Sequence, residues 1–258
     1  MNKLIAELQR LFFYPGLSPD EEALLSGVAQ VFDPLGPDGQ LRAMVLGVSG
    51  ADAWDCVAAL WQAAQDDLQL PAPVMAVTGA DGFQLWFSLA DPVPLAKAGS
   101  FLAGLSRRYL AEVPTARLTP CPGTTVHVVP GINVASGKWS AFIDPSMGRV
   151  LAHEPWLDIA PNPERQADLL GNFLRIDRMA FERALVQLAP PPVVAAPSVV
   201  AEVQSGLPVL PTMGGTERLG VEGHFGDPQS FLLAVMNDPT ASAAHRIDAA
   251  KALLPYWK

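Results

Sequence analysis

Hydrophobic and polar residues alternate from Gly82 to Leu89, and this pattern predicts a strand with two different faces. The preceding loop, Thr78 to Gly82, holds two glycines and an aspartate between hydrophobic flanks, which is typical of a tight turn between strands. The pattern therefore predicts a half-exposed hairpin over residues 76 to 89. Its two faces are expected to differ: Phe83, Leu85, Phe87 and Leu89 on the core side, and Gln84, Trp86 and Ser88 on the other.

Apolar residues recur at helical spacing in the first 32 residues. Residues 2 to 13 predict one helix with a single buried stripe. A second helix is expected to start with Ser18 as the cap, Pro19 at the first position and Glu21 closing a capping box. Its predicted buried face consists of Leu24, Leu25, Val28, Val31 and Phe32.

The pattern continues as a mixture of strands and helices up to about residue 188. Further strands are predicted at 43–48, 125–130 and 138–143. Further helices are predicted at about 53–65, 94–111 and 162–174, and after an Asp177 cap to about Leu188. This mixture predicts an α+β domain over residues 1 to 188, with a mixed or antiparallel sheet flanked by helices.

Composition changes after residue 188. Residues 189 to 226 are rich in Pro, Val, Ala and Gly without helical or strand periodicity, which is typical of an extended linker. Residues 227 to 258 regain helical periodicity on both sides of Asn237-Asp238-Pro239, which predicts a helical hairpin too short to be stable alone.

The charge balance is acidic, with a formal net charge of −9. A protein that wraps nucleic acid is usually basic, because Lys and Arg release condensed counterions from the polymer. Between residues 93 and 150, however, basic residues outnumber acidic ones by six to two. The acids are Glu112 and Asp144, and the bases are Lys97, Arg107, Arg108, Arg117, Lys138 and Arg149. This local surplus indicates either a binding face or an ordinary solvated helix with its loops.

No long apolar run is present, so a membrane span is not expected, and the N-terminal residues do not have the pattern of a signal peptide. A cytoplasmic location is the default expectation. Cys56 and Cys121 are too few for a disulfide framework. His127 and the other histidines lack metal-site spacing, and no phosphate loop or nucleophile elbow occurs, so neither a metal nor a cofactor is expected.

One segment predicts, in this order, a strand, a helix, a strand, a glycine loop and a strand: MVLGVSGADAWDCVAALWQAAQDDLQLPAPVMAVTGADGFQLWFSL. This layout resembles the archaeo-eukaryotic primase superfamily, especially the polymerase domain of bacterial ligase D. The family has two metal-binding acids, and the resemblance implies that Gly47 and Ser49 occupy their positions here. Gln84 likewise matches the family's nucleotide-contacting histidine, and Asp144 matches its third carboxylate. Glycine and serine do not hold Mg²⁺ as carboxylates do, and glutamine cannot become cationic.

The resemblance therefore implies a catalytically inactive relative that binds nucleic acid or assists replication. Single-stranded nucleic acid is the expected partner, with Gln84, Trp86, Arg107, Arg108 and Lys138 as its candidate contacts. A stacked Trp86 ring would contribute about 1–3 kcal/mol per base. An active nucleotidyltransferase that uses Asp52 and Asp144 remains a minor alternative, because Asp144 is better explained as a turn residue before Pro145.

The C-terminal segment FLLAVMNDPTASAAHRIDAAKALLPY has a separate resemblance. It is similar to the helical hairpin near the C-terminus of many phage small terminase subunits. That resemblance implies a phage or mobile-element source and a protein partner that docks through the hairpin. The alternative function is accordingly a phage packaging adaptor, or another interaction module without nucleic-acid chemistry.

Overall fold

The computed structural model describes residues 2–121 and 125–190, together with Leu232 and Lys251, which are both helical. The chain divides into two compact units, Met1–Val194 and Ala195–Lys258. The predicted linker (189–226) and C-terminal hairpin (227–258) lie almost wholly outside the described residues and stay predictions. In the described part of the chain, none of the helices has the length and apolar character needed to cross a membrane.

An antiparallel sheet forms the centre of the first unit. Its six strands run in the order β5-β2-β4-β3-β8-β7, and every neighbouring pair is antiparallel. A separate ribbon pairs β1 with β6. The strands are β1 (Val31–Phe32), β2 (Gln40–Ser49), β3 (Val74–Val77), β4 (Gly82–Pro94), β5 (Leu118–Cys121), β6 (Val126–His127), β7 (Gly131–Ile132) and β8 (Trp139–Ile143).

Helices cover both faces of this sheet, which confirms the predicted α+β fold with an antiparallel sheet flanked by helices. They are α1 (Lys3–Leu11), α2 (Glu21–Ser26), α3 (Ala53–Asp66), α4 (Leu95–Tyr109), α5 (Pro163–Gly171) and α6 (Arg178–Leu188). On face A of the sheet, α3, α4 and α6 enclose the larger core, which contains Phe83, Leu85 and Phe87 of β4. On face B, α1, α5 and the 126–129 segment enclose a smaller core around Trp86.

The N-terminal ends of several helices follow from local sequence. Asp177 caps α6 by accepting from the Ala180 N–H, as predicted, and Asn162 caps α5. The prediction for α2 was wrong in its details. Asp20 is its cap, and the helix ends at Gly27 in the left-handed conformation, so the residues after it leave the helical face. Three residues of the predicted buried face are consequently exposed: Leu25, Val28 and Val31.

Strand predictions were accurate for the hairpin and less so beyond it. The hairpin over 76–89 corresponds to β3 and β4, and Trp139–Ile143 forms β8 as expected. The 125–130 segment contributes only the two-residue β6, which pairs with Val31 and Phe32 outside the main sheet. The pattern did not reveal β5 or β7, because four and two residues are too short for alternation to be visible.

Candidate functional site

Two rows of cross-strand neighbours bring together three of the four positions of the degenerate motif, which comprises Gly47, Ser49, Gln84 and Asp144. Gly47 of β2 lies directly opposite Gln84 of β4, and Ala76 of β3 lies on the other side of Gln84. Ser49 pairs with Gly82 in the next row on the same face, because residues two apart on a strand share a face. Face B therefore carries Gly47, Ser49 and Gln84 close together, as the resemblance implies.

A cavity of about 360 Å³ opens on face B beside these rows. Gln84 of β4, Ser140 of β8 and Thr78, which directly follows β3, line it together with two loop segments. The segments are Ala29–Gln30 and the stretch that runs from His127 to Ala135. The volume lies within the range of ~300–1,000 Å³ that is usual for small-ligand sites. Among the described residues that line it, His127 is the single ionisable side chain, so the cavity has a mostly apolar wall with a few polar groups and little charge.

Trp86 does not lie in this cavity, and the expectation that its ring stacks on a base was wrong. Its side chain is 1% exposed. Phe12 and Phe142 pack against it, with ring centroids 4.9 and 5.7 Å away. The strand pattern placed Trp86 on the same face as Gln84 correctly, but α1 covers that part of the face.

The buried indole instead holds the side chain of Gln84. The Trp86 Nε1–H donates to the Gln84 Oε1 atom over 3.1 Å. An indole nitrogen can only donate, so the carbonyl oxygen of the amide must face Trp86. The amide NH₂ of Gln84 is therefore the end left for the cavity.

The residues at the degenerate motif do not fit the metal ions that the resemblance implies. Gly47 has no side chain, although a Cβ there would make ordinary contacts of 3.4 Å with Thr119 and 3.8 Å with Gln84. The Ser49 hydroxyl donates to the Arg117 carbonyl oxygen over 3.4 Å. Within residues 2–121 and 125–190, no group of three His, Cys, Asp or Glu residues could surround a metal ion.

A guanidinium group lies at the end of β2 beside the motif. Arg117 donates from Nε to the Ser49 carbonyl oxygen over 2.6 Å and pairs with the Asp52 carboxylate. This ion pair lowers the pKa of Asp52 and raises the pKa of Arg117. Gly50 has a positive φ and lies under the guanidinium, where a Cβ would approach Nε to 2.7 Å.

The two acids of the alternative active site lie apart. Asp52 follows β2 and is held by Arg117, whereas Asp144 follows β8, three strands away from β2 and so about 14 Å across the sheet. Asp144 accepts from the hydroxyl and the N–H of Ser146, which lowers its pKa. Asp144 therefore acts as a turn residue that caps the short helical turn after β8.

The candidate basic contacts also lie in different places. Arg107 and Arg108 end α4 on face A, opposite the cavity, where the Arg107 Nη2 donates to the Leu188 carbonyl oxygen over 2.5 Å. They therefore cannot line one groove with Gln84. Lys138 lies in the β7–β8 turn, three residues after the cavity residue Ala135, and forms an ion pair with Asp158.

Sequence reasoning missed several residues of this cavity. His127 interrupts an apolar run in TVHVVP, and that break was the available signal. Thr78, Asn133 and Ser140 gave no signal, because turn residues of these types are common at strand ends. Their side chains also bond within the protein: Thr78 with Gly82, Asn133 with Ala135, and Ser140 with Gly131.

No protein-family model matches the chain, and no curated protein matches it significantly in sequence. The fold is similar to the archaeo-eukaryotic primase domain of the cyanophage S-2L primase-polymerase, with 16% identity and a TM-score of 0.30. It is also similar to the polymerase domain of Mycobacterium tuberculosis ligase D in complex with DNA, with 14% identity and a TM-score of 0.33.

These matches cover 51% and 59% of this chain. The chain in turn spans 61% of the cyanophage domain and 52% of the ligase D domain.

Proposed function

We propose that residues 1–188 form a catalytically inactive primase-polymerase-like domain that binds single-stranded nucleic acid at the face-B cavity. One observation carries the proposal: Gly47, Ser49 and Gln84 adjoin on one face, beside an open cavity, and none of them is a carboxylate. The layout of a polymerase site thus coincides with side chains that cannot hold metal ions. A phage or mobile-element setting and a role in replication belong to the same proposal.

The surroundings of the cavity support binding without catalysis. Arg117 places a fixed positive charge at the end of β2, where the motif would need acids to attract metal ions. Lys138 stands at the opposite side of the cavity, on the β7–β8 turn. Both cations are paired with exposed acids, and ion pairs at exposed positions are weak, so phosphates can replace the acids at little cost.

Primer extension tests the inactivity. The full chain is expected to give no product with Mg²⁺ or Mn²⁺, under conditions where an active polymerase extends the same primer. The double variant Gly47→Asp, Ser49→Asp should also be inactive, although the Gly47 position has room for a Cβ. Metal-dependent product from the unmodified chain, lost on Asp144→Asn, would refute the proposal and support the alternative active site.

Fluorescence anisotropy tests the binding. Labelled single-stranded DNA and RNA are titrated with the full chain at low salt, where an acidic protein loses least of its local attraction to phosphates. Saturable binding that is weakened by Gln84→Ala and unchanged by the surface variant Gln187→Ala supports the proposal. If neither polymer binds at tens of micromolar protein, the nucleic-acid role is refuted.

One observation favours a second candidate, an interaction module such as a phage packaging adaptor. The net charge of −9 opposes contact with polyanions and suits a protein partner. This candidate assigns partner docking to residues 227–258. It becomes the leading function if the anisotropy titrations show no binding.

A further inference from the structure

We infer that the Trp86–Gln84 hydrogen bond makes the face-B cavity selective for an uncharged nucleobase that presents a carbonyl oxygen, as thymine does at C4, over one that presents an amine at that position. This inference rests on the proposed function and names which part of the nucleic acid enters the cavity. Trp86 is then a positioning residue that acts through Gln84, and Gln84 is the residue that touches the base.

The first step is the orientation of the Gln84 amide. A free glutamine can present either its oxygen or its NH₂, because the two ends are nearly the same size. The indole N–H of Trp86 removes this freedom, since it needs an acceptor within reach and the Gln84 oxygen lies 3.1 Å away. The indole itself is fixed by close aromatic contacts with Phe12 and Phe142. The NH₂ group of Gln84 is therefore the hydrogen-bond donor that faces the cavity.

The second step is that few other side chains in the cavity are available to a ligand. Gln30 uses both ends of its amide on the backbone of Asp20, and Ser140 uses its hydroxyl on Gly131. The Asn133 oxygen accepts from two backbone N–H groups of its own turn, and its NH₂ donates to the Thr78 carbonyl oxygen over 3.5 Å. The Thr78 hydroxyl donates to the Gly82 carbonyl oxygen. Among the side chains that line the cavity, the Gln84 NH₂ and the His127 ring remain as free polar groups in the described structure.

The third step concerns charge and shape. None of the described residues that line the cavity is Lys or Arg, so a phosphate inside it would meet no cation from them. Aliphatic side chains supply much of the wall, including Val129, Ile132 and Val134. Flat apolar faces with a polar edge suit such walls, and a base has that form. The phosphates of the strand then lie outside, towards Lys138.

The test compares bases that differ in what they present at one position. Thymine carries a carbonyl acceptor at C4, where cytosine carries an amine donor. We expect short oligo(dT) to bind the full chain roughly three- to tenfold more tightly than oligo(dC), the effect of one hydrogen bond made or lost. Thymidine 5′-triphosphate should bind no more tightly than thymidine.

Two variants test the mechanism. Gln84→Glu presents only acceptors, so it should reverse the preference in favour of oligo(dC) even if both affinities fall. Trp86→Phe keeps an aromatic ring in the core but loses the N–H, so the ratio should move towards one. Gln187→Glu adds the same charge on an exposed part of α6 and should leave the ratio unchanged.

The outcomes separate this inference from the proposed function. If both oligonucleotides bind equally and Gln84→Glu does not change their ratio, the inference is wrong and the proposed function stands. If neither binds, the proposed function fails as well. Melting temperatures show whether Trp86→Phe is folded. Should it unfold, Gln84→Glu alone decides, because Gln84 is only half-buried on the cavity floor and its replacement leaves the core intact.

Discussion

At the scale of single residues, the side chains around the degenerate motif bond mainly to the protein itself. Arg117 illustrates this, since its guanidinium joins the Ser49 carbonyl oxygen and the Asp52 carboxylate, which lies 65 residues away along the chain. The Arg117–Asp52 ion pair therefore connects the turn after β2 with the segment before β5. Asp52 precedes α3 but makes no capping hydrogen bond with its side chain, so its role is the ion pair.

Changing Asp52→Asn is expected to make stability less dependent on acid. The Arg117 hydrogen bond lowers the pKa of Asp52 in the folded chain. The stabilisation is therefore complete above the ordinary aspartate pKa of about 3.9 and is lost as the pH falls through the lower, folded value. The melting temperature of the unmodified chain should exceed that of Asp52→Asn at neutral pH, and the difference should shrink below about pH 4.

A double-mutant cycle controls this result. In an Arg117→Gln background, Asp52→Asn should have little further effect, because the partner is already absent. An Asp52→Asn effect of equal size at neutral and acid pH, or in both backgrounds, would contradict the role assigned to the ion pair.

At the scale of secondary-structure elements, α4 and α6 approach each other closely on face A. Gly104 of α4 makes this possible, because a Cβ there would lie 2.7 Å from the Leu188 Cβ and 3.0 Å from its carbonyl oxygen. Arg107, one turn later, donates to the same carbonyl. The last turn of α6 is thus fixed to α4 by close backbone approach and by a side-chain cap.

Gly104→Ala is expected to destabilise the chain by about 1–3 kcal/mol, the usual cost of overpacking a core. Gly171→Ala is the matched control. Gly171 is also a helical residue, the last one of α5, but a Cβ there would meet nothing within 4 Å. Alanine at this position should therefore stabilise the chain by about 0.4–1 kcal/mol. Urea denaturation of both variants measures the two effects. If the two changes have the same sign, the close approach of α4 and α6 is not limited by Gly104.

Local patterns predicted which elements form, but not what covers them. The alternation in β4 separated Phe83 and Leu85 from Gln84 and Trp86 correctly, because period-two spacing is a local property. It could not show that Phe12, 74 residues earlier, covers Trp86 while the Gln84 end stays open. The partners of Arg107 and Arg117 are also remote in the sequence, so a basic stretch alone could not show whether its side chains form a binding face.

At the scale of the whole molecule, the positive surplus of residues 93–150 is largely neutralised by acids from elsewhere. Lys97 pairs with Glu182, Arg117 with Asp52 and Lys138 with Asp158, and none of these acids belongs to the 93–150 stretch. Of the remaining positive charges, Arg107 and Arg108 lie at the end of α4 on face A, opposite the cavity. An acidic chain with such a distribution attracts a phosphate backbone only over a short range, since the Debye length is about 10 Å at 0.1 M salt.

The salt dependence of binding should therefore respond to Lys138 and not to the α4 arginines. Lys138→Gln removes a cation next to the cavity, and the slope of log K against log salt should fall by about 0.7, the value for one phosphate contact on a single strand. The double variant Arg107→Gln, Arg108→Gln removes twice the charge on face A, yet its slope should match that of the unmodified chain. Anisotropy titrations with oligo(dT) at several salt concentrations measure all three slopes. A flatter slope for the α4 variant with no change for Lys138→Gln would move the binding surface to face A, away from Gln84.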